Sequence, residues 1–149
     1  MLNQLKDVHE EVRATIKGLA DVLADANPDT QALSRIRMKL TRATGKWRTF
    51  VQCTVLPELT QVTPDQARLL AEMRSEAAEF AITKSTHISR WSTRVTEGDI
   101  AGYRRASADM RSALLARLDR EAAILYPLLK DKAAGPRLLP QSGSPAHPA

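Results

Sequence analysis

Apolar residues recur along most of this chain at alternating steps of three and four, the period of a helix with one buried face. The first series is Leu2, Leu5, His9, Val12, Ile16, Leu19 and Leu23, and it predicts a helix over residues 2–24. It stops at Asp25-Ala26-Asn27-Pro28. There Asn27 can accept a bond from a free first-turn amide, and Pro28 suits the first helical position. A second helix is therefore expected over residues 28–61, with the stripe Leu33, Ile36, Leu40, Ala43, Trp47, Phe50 and Thr54. Gly45 weakens it by about 1 kcal/mol relative to Ala, and Pro57 kinks or ends it.

Thr63-Pro64-Asp65-Gln66 is a helix start, with Thr63 at the N-cap, Pro64 at the first position and Gln66 as the reciprocal capping-box residue. The third helix is expected to reach Val95, through Leu69, Leu70, Met73, Ala77, Phe80, His87 and Trp91. Glu97-Gly98-Asp99 breaks it. The fourth, over residues 100–130, carries Met110, Leu114, Arg117, Glu121, Ile124 and Leu128, with Leu118 and Leu125 widening the stripe. Beyond Asp131 the chain turns rich in Pro, Gly and Ser, which cannot build a core. The expected organisation is thus an all-α domain over residues 1–131 and a disordered tail over residues 132–149. Short connections between four long helices imply an antiparallel up-down-up-down four-helix bundle.

Composition adds little to this picture but excludes some classes. Aromatic residues make up only 4% of the 149 positions, so the core must rest on aliphatic side chains. The single cysteine, Cys53, rules out an intrachain disulfide and fits a reducing cytoplasm. No run of about 18 apolar residues suggests a membrane span, and the first residues lack the pattern of a signal peptide. The net charge of +5 is as consistent with solubility as with an anionic partner. No nucleophile with a partnered base, phosphate-cradling glycine loop or cysteine-pair zinc spacing is present, so a non-catalytic role is expected.

The informative positions are polar residues lying within apolar stripes: His9, His87, Arg117 and Glu121. An unpaired polar group in a core costs roughly 1–3 kcal/mol, and a charged one more. These four should find one another, a metal or water. The second and fourth helices also end alike, in Val55-Leu56-Pro57-Glu58-Leu59 and Leu125-Tyr126-Pro127-Leu128-Leu129.

With these residues in place, the chain resembles the hemerythrin-like, or HHE cation-binding, family. The resemblance implies a four-helix bundle in which histidines and carboxylates from all four helices hold a pair of iron ions. It covers residues 5–130 in architecture and spacing, and is sharpest at Glu121 with Ile124-Leu125-Tyr126-Pro127. On it, His9, His87 and Glu121 match the ligands of helices one, three and four. The histidine position of helix four holds Arg117 instead, and the ligand pair of helix two falls on Trp47 and Val51. Trp and Val cannot ligate iron, and arginine stays protonated in proteins. Three survivors are too few for two ions.

The expected function is a hemerythrin-like module with a degenerate metal centre, serving binding, sensing or regulation and holding no resident cofactor. Two alternatives stay open. One is iron and dioxygen binding through His9, His87 and Glu121, a two-His-one-carboxylate set. The other is a basic protein that meets an acidic partner through Arg35, Lys39, Arg42 and Lys46 on helix two. The plainer reading pairs Arg117 with Glu121, takes the basic strip as a solvated face, and treats Cys53 as a small semi-buried hydrophobe. Tyr126 is expected in the core with its hydroxyl at the rim. A protein partner or a second copy of the chain fits these readings; a membrane does not, and nucleic acid is disfavoured for want of a recognised motif.

Overall fold

The structure, a computed structural model, describes residues 1–134 and is all-helical over them, with no strand. Four long helices dominate: α1 (Leu2–Ala24), α2 (Thr30–Phe50), α4 (Pro64–Arg90) and α6 (Ile100–Ala133). Two short ones, α3 (Leu56–Glu58) and α5 (Thr93–Gly98), close the ends of α2 and α4. The expected tail lies outside the described residues beyond Ala134, and α6 itself runs two residues past Asp131.

Helix boundaries follow local chemistry. Thr63 accepts from the Gln66 amide while Gln66 accepts from the Thr63 amide, completing the expected capping box at the start of α4. At the start of α2 the cap is Asp29, whose carboxylate accepts from the Gln31 amide, two residues beyond the expected Asn27. The third helix ends at Arg90 rather than Val95. Ser92 accepts from the Val95 amide and starts α5 as a separate helix. Arg104 closes the end of α1 by donating to the Leu23 and Asp25 carbonyls.

The second helix departs most from its expected course. After Phe50 it widens into one π-helical turn, Val51–Val55, and then ends at Glu58. Pro57 has no amide hydrogen for the Cys53 carbonyl, and its ring would crowd that carbonyl in a regular helix. The wider turn, closed by the Leu56 amide on the Val51 carbonyl, absorbs the conflict. The buried series past Trp47 becomes Val51 and Val55, four apart, and the expected Thr54 is exposed.

The main core joins α1, α2, the π turn and α6 around Leu5, Val12, Ile16, Trp47, Val55, Leu118 and Leu125. A smaller cluster at the other end holds Leu19, Leu23, Leu33, Trp91 and Tyr103. On α6 the buried line runs through Leu118, Leu125 and Leu129, so the expected stripe of Arg117, Ile124 and Leu128 is its half-buried edge. Helix α1 buries eight residues, whereas α4 buries only Leu70 and Met73 along 27 positions. Leu69, expected inside, is 41% exposed. The interior is thus built mainly on three helices, and α4 lies against them with a cleft between itself and α2.

Candidate functional site

Two of the polar residues singled out by sequence meet in the interior. His9 from α1 and Glu121 from α6 are 1% and 3% exposed, and Nε2 of the ring lies 3.2 Å from Oε1 of the carboxylate. The same oxygen accepts from the Trp47 indole nitrogen at 2.9 Å. On the other side of the ring, Nδ1 lies 2.7 Å from the Tyr126 hydroxyl. An ionised carboxylate can only accept, so Nε2 bears a proton, and on a neutral ring Nδ1 accepts from Tyr126. The result is a four-member relay across three helices: Tyr126 to His9 to Glu121, with Trp47 donating at the far end.

Packing holds the relay in place. The His9 ring stacks on Tyr126 with centroids 5.5 Å apart and meets Trp47 edge-on at 5.9 Å. Lys6 sits over the outer face of Tyr126 at 5.5 Å. Burial raises the Tyr126 pKa above the ordinary phenol value, Arg13 opposes it, and Glu121 reinforces it. The phenol therefore remains a proton donor across the neutral range. Among the described residues every fully buried side-chain nitrogen and oxygen has a partner. Both nitrogen contacts to Glu121 fall on Oε1, and Glu121 borders a cavity of about 300 Å³ between α2 and α4.

Arg117 does not pair with Glu121, contrary to the plainer expectation. Its guanidinium lies over the Phe80 ring at 5.2 Å and is half-buried at the cavity wall. Burial lowers its pKa, and the charges of Glu121 and Glu76 oppose the shift. The arginine takes the aromatic face of Phe80 instead.

His87 lies apart from His9 and Glu121. It is half-buried in the second cluster, tilted against Tyr103 with centroids 6.1 Å apart. Tyr103 and Glu121 are 18 positions apart on α6, about 27 Å along the helix axis. Burial first, and then the nearby Arg37, lower the His87 pKa. No protein-family model, curated protein or solved structure matches the chain.

The residues present do not fit a di-iron group. Among the described residues no three His, Cys, Asp or Glu side chains are grouped to hold a metal. The candidate set of His9, His87 and Glu121 is split between the two ends of α6. Trp47 and Val51 are both buried at the helix-two positions and bring no ligating atom. Instead the indole N–H of Trp47 donates to one carboxylate oxygen of Glu121.

The remaining candidates are peripheral. Arg35, Lys39, Arg42 and Lys46 are all exposed, and Lys46 pairs with Glu11 of α1 at 3.1 Å. Cys53 is exposed on the π turn rather than semi-buried. Tyr126 directs its hydroxyl inward to His9, not to the rim. Sequence reasoning missed Trp47 and Tyr126 as partners of the buried pair. A count of donors would have found them, because a buried indole and a buried imidazole both need acceptors and the stripes offer one acid. It also missed Tyr103, buried beneath Arg37 at 4.8 Å, in the first turn of α6 where no stripe was assigned.

Proposed function

We propose that this chain is a hemerythrin-like, antiparallel four-helix bundle whose metal centre has been replaced by a hydrogen-bonded relay, and that it works as a non-catalytic binding or regulatory module. Short connections between α1 and α2 and between α4 and α6, and the packing of α6 on both α1 and α4, support the bundle. One observation carries the functional reading: Oε1 of Glu121 accepts from Trp47 at 2.9 Å and lies 3.2 Å from Nε2 of His9. One oxygen of this carboxylate is thus occupied by two protein donors. The relay ties α1, α2 and α6 in one register, a role that buried polar groups fill in other helical assemblies.

The relay also lacks the parts of an enzyme site. Among the described residues no serine, threonine or cysteine bonds to His9, whose two nitrogens are engaged by Tyr126 and Glu121. The test is the iron content of protein purified after expression in iron-supplemented medium. The expected result is far less than one iron per chain, with no optical change on anaerobic addition of ferrous iron. One or two irons per chain, lost in H9A, would overturn the reading.

A further inference from the structure

The cleft between α2 and α4 has a charge pattern that the relay does not explain. Its inner part is the cavity of about 300 Å³, with an apolar wall that includes Val51, Leu56, Met73, Phe80 and Leu114. Four cations line it, Arg48, Arg74, Lys84 and Arg117, against one acid, Glu121, already engaged by Trp47 and His9. The cavity adjoins a second one of about 510 Å³ toward α5, with Lys84, Ile88 and Leu114 common to both. The second brings Arg37, Arg42 and Arg111, with no carboxylate. None of these seven cations forms an ion pair among the described residues, although six other basic side chains do.

Lys84 is the pivot of the pattern. It is half-buried, donates to the Thr44 hydroxyl across the cleft, and has Arg48 close enough to lower its pKa further after burial has done so. A half-desolvated ammonium beside a guanidinium, with no counter-ion supplied by the chain, is what an anionic headgroup would complete. From Lys84 the apolar lining continues to Met73, about 16 Å along α4. Glu121 stands toward that far end and repels a second negative charge there. A volume of about 300 Å³ is at the lower end of small-molecule sites.

We propose that this cleft binds a free carboxylic acid with an unbranched apolar chain of medium length, its carboxylate on Lys84 and Arg48 and its chain along Phe80, Leu114 and Met73. The proposal rests on the reading of the chain as a binding module, but not on the loss of a metal. Iron content and ligand binding are separate measurements, and either can fail alone.

The experiment titrates the full chain with decanoate, followed by the fluorescence of Trp47, which borders the inner cavity, in a W91F background, and by calorimetry. The expected result is saturable binding of one decanoate per chain. Decanol, which lacks the charge, should bind about tenfold more weakly or worse, and K84M should weaken decanoate by a similar factor. K84R should retain binding, and K39M, outside both cavities, should leave it unchanged. R48M, at an exposed position, repeats the charge test if K84M does not fold. Absence of saturable decanoate binding, equal binding of decanol, or equal loss in K39M and K84M would each overturn the proposal.

Discussion

Trp47 on α2 and Glu121 on α6 meet through a 2.9 Å hydrogen bond in the interior, although 74 positions separate them in the chain. The bond is made at a site where both partners are at most 5% exposed, so water cannot replace either one. W47F removes the donor and keeps most of the ring. It should cost roughly 1–3 kcal/mol, read from the midpoint of urea unfolding. Y126F should cost less, about 1 kcal/mol, because Tyr126 is only half-buried. W47F combined with E121Q should be non-additive by about 0.5–3 kcal/mol, since both changes act on one bond.

His87 gives the fold a pH dependence of known sign. Burial and Arg37 hold its pKa below the ordinary 6.5, so the unfolded chain takes up a proton at a higher pH than the folded one. Stability from this group is complete above about pH 6.5 and falls as the pH drops from there toward the folded value. Urea midpoints measured over about pH 5–8 should decline on the acid side, and H87Q should flatten that decline.

Two glycines should respond in opposite directions. A Cβ added at Gly45 meets nothing within 4 Å, so G45A should stabilise α2 by about 1 kcal/mol through helix propensity. At Gly102 an added Cβ would lie 2.2 Å from Asp99 Oδ2 and 2.9 Å from Trp91 Cη2. Asp99 is the N-cap of α6 and accepts from the Gly102 amide at 2.9 Å. G102A should therefore break that cap and lower the thermal midpoint, by roughly 1 kcal/mol or more in stability.

The uneven burial of the helices should appear in hydrogen exchange. Amides in the second half of α4, over residues 75–90, include no buried side chain and should exchange well before those of α1, which buries eight. Equal protection in the two helices would contradict a stability that follows their unequal burial.

The three-and-four spacing made α1 legible down to single residues, because it packs on one side with no interruption: Leu5 to Leu23 are buried as read. On α6 the same spacing was one edge out. Arg117 and Glu121 both fit a helical stripe, yet only Glu121 is fully buried, because α4 covers that edge of α6 incompletely and leaves Arg117 at the cleft. His9 and Glu121 could be paired from sequence as uncompensated polar residues. His87 could not be separated from them, since a periodic pattern gives the face of a helix but not the level at which two helices meet. The π turn was hidden for a related reason: Pro57 announces a disturbance without saying whether the helix kinks, stops or widens.

That widened turn has a consequence for how the sequence can change. Between Val51 and Val55 the backbone carries one residue more than a regular turn would hold. Removing a single residue there, with Pro57 replaced so that a regular turn meets no ring, would tighten the spiral to its ordinary pitch while Trp47 before it and Leu56 after it keep their bearings. Elsewhere in the long helices the same loss would swing everything downstream by about 100° and carry buried side chains into water. Val51–Val55 is thus a slack point, where the chain can shed a residue together with Pro57→Ala without turning its interior face outward.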